Sequence, residues 1–460
     1  MVIAQTPSPQ APQNQPQSAP DQDQNADKSK PLPQVSPEAR YDFQSEITFI
    51  LQHLFPFHSP YAGPDSLRSR SETELTDTYT LYLGARLSPE VEVYVNPELA
   101  WGNGIGEGDG LAGYTNGDLI GQGSLRPEPY LARYFVRWRI PLPQHGEKSM
   151  REVQIGRAPN MIAGEAAAHR LVVTFGKFAV SDIFDVNAYA NSPRQQFMND
   201  AFVNNLAYDL AQETRGYDLG LTVVWIHPTW VIRFGTFAMP TTAGGPDLAY
   251  NLSDAHSEQI EGELHARLLG RKNPPLLARL LAYRNVATMG RYSDALAAQP
   301  PGAPPDITQV RKHGAVKYGF GLNFEQGLAD GGATGVFGRF GWNNGDTESF
   351  SYAEADRFLS IGGQLSGARW KRKNDRVGLA LAQSDLSGAH KNYLAAGGVG
   401  LNLGDGALRY GSERILETYY SYQLSTPIAL SLDYQYIANP GYNRDRGPVS
   451  VVSLRLYATF

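Results

Sequence analysis

Residues 130–140, YLARYFVRWRI, decide how the rest of the chain is read. With a period of two, Tyr130, Ala132, Tyr134, Val136, Trp138 and Ile140 share one face, and Arg133, Arg137 and Arg139 share the other. A helical period would scatter the three arginines around the apolar side, so the segment reads as a strand with one apolar and one wet face. The pattern recurs on both sides of it. In 75–87, Leu75, Tyr79, Leu81, Leu83, Ala85 and Leu87 oppose Thr76, Thr78, Thr80, Tyr82 and Arg86. In 260–268, Ile260, Leu264, Ala266 and Leu268 oppose Glu261, Glu263, His265 and Arg267. In 428–436, Ile428, Leu430, Leu432, Tyr434 and Tyr436 oppose Ser431, Asp433 and Gln435.

Composition agrees with a large β protein. The 460 residues include 47 Gly, 25 Tyr and no Cys, and only 19% are charged. Without Cys there is no disulfide framework, thiolate metal site or cysteine nucleophile. A net charge of −6 with no basic block argues against nucleic acid as a partner. No apolar run approaches the roughly 18 residues of a membrane helix. Residues 5–37 are rich in Gln and Pro and too poor in apolar side chains to offset their ordering entropy, so 1–40 reads as a disordered segment ahead of a 41–460 domain. Val2, Ile3, Ala4 and Gln5 resemble the tail of a secretory signal whose start lies upstream; the other reading of this start is a cytoplasmic chain.

Alternation delimits sixteen strands between Tyr41 and Phe460, with 14 or 18 within the uncertainty of their boundaries. Short links (88–89, 227–228, 270–275, 426) mostly alternate with long Gly- and Asp-rich ones (101–129, 179–214, 240–256, 290–312, 387–412). That is the rhythm of a transmembrane antiparallel β-barrel of the bacterial outer membrane. The 141–167 link breaks the rhythm, and its GEAAAH suggests a short helix. Periodicity alone does not separate a membrane barrel from a soluble one with the opposite orientation. Three features favour the membrane: charges crowd the polar faces; Trp101, Trp138, Trp225, Trp230, Trp342, Tyr419 and Tyr420 lie near strand ends, as interfacial girdles do; and Val452, Leu454, Leu456 and Ala458 lead to a terminal Phe460. Such an ending is what outer-membrane proteins present to their assembly machinery.

No motif argues for catalysis, a metal or a cofactor. Gly108–Gly113 matches G-x-G-x-x-G, but no helix follows it, so a flexible loop is expected. The spacing of Asp254, His256 and His265 fits no zinc signature, and there is no G-x-S-x-G. The wet faces collect Arg133, Arg137, Arg139, Arg233, Arg267, Arg339 and Arg455 against Glu46, Glu92, Glu98, Asp218, Glu261, Glu263, Glu417 and Asp433. A mixed lining suits a neutral polyhydroxylated solute better than a phosphate or a cation. A wall whose charges merely pair with one another, lining a general diffusion pore, fits equally well. Three arginines on one strand face need solute or carboxylate partners, which makes 133, 137 and 139 a candidate ladder along the lumen.

Several long stretches, GKFAVSDIFDVNAYANSPRQQF (176–197), HPTWVIRFGTFAMPT (227–241), YGSERILETYY (410–420) and YQYIANPGYNRDRGPVS (434–450), resemble the carbohydrate-selective outer-membrane porins of the OprB type. The resemblance covers 41–460. It implies a sixteen-stranded barrel that passes monosaccharides such as glucose passively into the periplasm, with extracellular loops folded inward to narrow the pore. The 179–214 segment takes the place of the main constriction loop, offering Asp182, Asp185, Tyr189, Arg194, Asp200, Asp209 and Arg215, and the 101–129 loop is the second candidate. Asp182 and Asp185 also suit a plainer role as caps of a short helix. The partners implied are monosaccharides, outer-membrane lipid and the barrel-assembly machinery; a homotrimer and a monomer are both compatible with the sequence.

Overall fold

The computed structural model describes residues 39–119, 128–143, 152–269, 273–352 and 354–460. The leader reading and most of the Pro/Gln-rich segment lie outside them. In chain order the strands are β1 (Tyr41–Leu54), β2 (Glu72–Arg86), β3 (Val91–Trp101), β4 (Tyr130–Pro141), β5 (Glu152–Ile155), β6 (Gly164–Ala167), β7 (Arg170–Phe178), β8 (Asp218–His227) and β9 (Trp230–Ala238). There follow β10 (His256–Ala266), β11 (Leu276–Met289), β12 (Lys312–Ala329), β13 (Thr334–Asn343), β14 (Arg357–Gly367), β15 (Arg372–Asp385), β16 (Glu413–Ser425), β17 (Ile428–Ala438) and β18 (Val449–Thr459). Among the described residues, sixteen of these pair antiparallel, neighbour to neighbour, and β1 closes on β18 from Glu46 opposite Thr459 to Leu54 opposite Val451. Closure leaves the barrel sheet without a free edge among the described residues. β5 and β6 form a separate hairpin inside the 141–167 link. The expected helix at GEAAAH is absent there, because β6 pairs through Gly164, Glu165, Ala166 and Ala167.

The orientation is that of a membrane barrel. Ile260 and Leu264 are 52% and 65% exposed, whereas Glu261 and Glu263 between them are 1% and 5%. Thr76, Thr78 and Thr80 are buried while Leu75, Leu81 and Leu83 face out; Arg339 and Arg455 are buried too. Apolar side chains meet the hydrocarbon and polar ones turn to the centre, the reverse of a soluble barrel. Trp101, Trp138 and Trp225 are exposed on the outer surface. Tyr419 departs from the expected girdle: its parity places it inside, where its hydroxyl donates to Gln364 at 3.0 Å.

The decisive strand itself carries an irregularity. Asn96 stands opposite Arg133, but the next residue, Pro97, stands opposite Leu131, so β4 holds an extra residue at Ala132. Pro97 has no N–H to give the ladder, and a β-bulge is where such a residue is tolerated. Beyond the bulge the parity flips. Leu131 faces out, while Ala132 and Tyr130, which alternation alone assigned to the apolar face, turn inward. The Tyr130 hydroxyl donates to Glu98 at 2.6 Å.

Candidate functional site: the barrel lumen

Long loops cluster at one end of the barrel, and the one between β7 and β8 turns inward and runs down the lumen. It carries the short helix α1 (Asp200–Val203), capped by the Asn199 side chain, which accepts from Ala201 N–H at 3.0 Å. At its deepest reach the Tyr189 hydroxyl donates to the Gly332 carbonyl, in the short turn between β12 and β13 at the opposite end. A chain buried this way must satisfy both its N–H and its C=O groups, and the wall supplies both kinds of partner. Glu417 accepts from the N–H of Met198 and Asn199, Glu261 from Asp185 and Glu325 from Ala188. Arg339 donates to the carbonyls of Asp185, Ala190, Phe202 and Val203, and Arg455 to those of Pro193 and Gln196. Much of the mixed charge that suggested a sugar-binding wall therefore holds the loop backbone in place.

Sterics complete the fit. Gly335 lies under the Tyr189 ring, and a Cβ there would sit 2.2 Å from its hydroxyl-bearing carbon. A Cβ on Gly341 would come within 2.0 Å of the Asn205 side-chain oxygen. Glycines on β12 and β13 thus leave room for the loop, and Phe197 fills the gap between Phe202 of the loop and the wall residues Phe337 and Tyr419.

Arg194 fastens the loop to the remaining wall. Fully buried, it bonds Glu46 at 2.6 Å, Glu98 at 3.2 Å and Asp118 at 2.6 Å. Asp118 belongs to the 102–129 loop, so one guanidinium ties both inward loops to β1 and β3. Higher in that loop no helix follows the glycine-rich run among the described residues. Its Ala112 and Gly113 N–H groups donate to the Glu413 carboxylate.

The wall formed by β3, β4 and β7–β10 keeps some access. Arg133 pairs with Asp182 of the loop at 2.7 Å. Arg139 bonds Glu92 at 2.5 Å, and Arg137, 4.0 Å from the same carboxylate, leans over the Tyr94 and Phe135 rings. Arg233 bridges Glu261 and Glu263, each at 2.8 Å. The Arg137, Arg233 and Asp182 side chains keep 15%, 12% and 16% of their surface. Arg215 lies over the Tyr130 ring, 4.2 Å from its centre. Asp218 is buried at the top of β8, where it accepts from its neighbour Leu219 N–H, and Asp185 pairs with Arg339 at 3.0 Å. Arg267 does not line the lumen: it is exposed in the link after β10, one residue past the end of the strand. Alternation missed Arg279, which bonds Glu263 and Glu325, and the inward pair Tyr94 and Phe135, stacked at 5.1 Å. Tyr94 shares the parity of Glu92, and Phe135 that of Arg133 and Arg137, which it did select.

At the loop end, α2 (Tyr292–Ala297) and α3 (Gly388–Ala395) pack together. The His390 ring stacks on Tyr292 at 4.2 Å, and its two nitrogens face Asp356 at 3.1 Å and Glu354 at 3.5 Å. Burial opposes charge on this imidazole, but the two carboxylates outweigh it and raise its pKa. Asp65 is pushed up to about 6 by burial and by the Glu354 charge. Asp109 is pushed up to about 6 by burial and then by Asp65.

A closed sixteen-stranded barrel with an apolar exterior, and a polar interior narrowed by loops from one end, defines an outer-membrane channel of the porin class. The model of the carbohydrate-selective porin, OprB family, matches residues 78–460, and the chain belongs to that family. Its place is the bacterial outer membrane, and its function is that of a sugar-selective porin. The high-pH structure of Pseudomonas putida OprB superposes with a TM-score of 0.67 at 16% identity, over 91% of this chain and 94% of that one. The outer-membrane channel DcaP of Acinetobacter baumannii aligns over 91% and 97% at 11% identity, with a TM-score of 0.48. No curated protein matches the sequence.

Proposed function

We propose that the solute is a monosaccharide such as glucose, which descends its gradient past the β3–β4 and β7–β10 wall, with no catalytic step. The observation that carries this reading is the pairing pattern of that wall. Arg233 is oriented by two carboxylates and Arg137 by the Asn160 carbonyl at 2.7 Å, with Glu92 4.0 Å away, yet both keep accessible edges, while the opposite wall is covered by the loop. Guanidinium and carboxylate groups exchange hydrogen bonds with sugar hydroxyls as the sugar sheds part of its water, and release requires that this binding stay weak. Arg133, Arg139, Glu92, Glu261 and Glu263 act mainly by positioning, and Asp182 and Arg215 stand where the loop borders the path. The exposed Phe460 is the signal offered to the assembly machinery, and the apolar exterior serves lipid or a neighbouring barrel in a trimer. Liposome swelling tests the solute. Glucose should enter faster than a size-matched neutral solute with fewer hydroxyls, and Arg137→Ala should narrow the difference. Equal rates in the unaltered protein would leave a general diffusion pore.

A further inference from the structure

The link between β4 and β7 belongs to the short-turn end of the barrel, the periplasmic side in this family of folds. Its hairpin does not stay outside. From β5 the chain enters the barrel, reverses at Ala158–Met161 and returns through β6. Asn160 has φ +58°, Pro159 precedes it, and Met161 N–H donates to the Ala158 carbonyl at 2.8 Å: the residues and bond of a type II turn. Every wall group that holds this turn faces inward. Arg137 donates to the Asn160 carbonyl at 2.7 Å, Asn96 to the Asn160 side-chain oxygen at 2.9 Å and Arg86 to the Ile162 and Ala163 carbonyls, while the Tyr94 hydroxyl accepts from Ile162 N–H. Asn96 is five residues above the start of β3 at Val91, or roughly 16 Å at the usual rise of a strand. The turn therefore reaches mid-barrel.

We propose that residues 156–163 form a second constriction, inserted from the periplasmic side, and that Arg137 and Asn160 sit at its edge as the last polar contacts a sugar makes before release. The proposal rests on the porin reading and adds a gate that extracellular loops do not supply. Met161, at the tip and only partly buried, is the natural probe, because a chain without Cys gives single-cysteine chemistry a silent background.

The test is single-channel recording in planar bilayers, using Met161→Cys before and after a charged methanethiosulfonate reagent, with labelling confirmed by intact mass. The labelled channel should lose a third or more of its ion conductance. A second variant, with 157–163 replaced by Gly-Ser-Gly, should conduct about twofold better or more. A labelled channel with unaltered current, a Cys that the reagent cannot reach, or a shortened hairpin that leaves conductance unchanged would overturn the proposal. Ion conductance does not depend on sugar preference. A failure here is thus distinguishable from a failure of glucose selectivity in the swelling assay.

Discussion

Two segments enter the lumen from opposite ends and are anchored by different physics. The 179–217 loop is treated as core: Phe184, Phe197, Phe202 and Leu206 are fully buried, glycines make room for it, and charged wall groups satisfy its backbone. The 156–163 turn has little apolar contact beyond Ile162 and is held chiefly by hydrogen bonds from Arg86, Arg137 and Asn96. The two meet on β4, where Arg133 grips Asp182 of the first and Arg137, four residues on, grips Asn160 of the second. A packed insert is fixed by many small terms. A tethered one depends on a few bonds, so single substitutions should loosen it without disturbing the barrel.

The largest effect should come from the one place where the packed insert behaves like a tethered one. Arg194→Ala leaves Glu46, Glu98 and Asp118 buried without their cation. Removing one partner of a buried ion pair costs about 3–5 kcal/mol. The variant should unfold at lower temperature and, where it assembles, show severalfold higher conductance as the loop leaves the wall. Next comes the glycine floor. Gly335→Ala drives a methyl into Tyr189, whereas Gly262→Ala meets open space. The first should cost about 1–3 kcal/mol, typical of overpacking, and raise conductance. The second should do neither, and equal thermal shifts in the two would deny that the floor exists to seat the loop. Arg137→Ala ranks third. It removes from the tethered turn, and not from the strand ladder, a charged hydrogen bond of about 1.5–3 kcal/mol. Conductance should rise less than twofold, with the melting temperature of the barrel almost unmoved.

Strand number, order and orientation were legible because a two-residue period is imposed directly by lipid on one side and water on the other. The exceptions have local causes. Tyr130 and Ala132 changed face because Pro97 forces a bulge that no count of alternating residues registers. Arg267 fell outside because a strand's last residue is set by pairing with β9 and β11, not by its own pattern. Site chemistry was less legible for a deeper reason. Glu261, Glu417, Arg339 and Arg455 look like solute ligands in sequence, yet each also bonds backbone atoms of a loop 76 to 262 residues away, and backbone atoms carry no sequence signature. The long 141–167 link was visible as an anomaly. Its entry into the lumen depends on Arg137, Asn96 and Arg86 meeting main-chain oxygens, which the alternation could not show.

The smallest effect separates the mouth from both inserts. His390 has its pKa raised in the folded protein, so its contribution is complete below the unfolded value near 6.5 and is lost as pH rises through the folded one. Asp65 and Asp109, pushed up to about 6, act in the same direction, because their folded forms favour the proton and their contribution fades between roughly pH 4 and 6. The α2–α3 contact should therefore loosen on going from pH 5 to pH 8, seen as faster amide exchange in 388–396 at matched intrinsic rates. His390→Asn should flatten the upper part of that profile. Exchange at 202–206 should stay constant across the same range, because that stretch is held by buried packing and by bonds from Arg339. If both regions loosened together, the mouth and the packed insert would be one cooperative unit, and the contrast between core-like and tethered segments would have to be redrawn around the whole extracellular end.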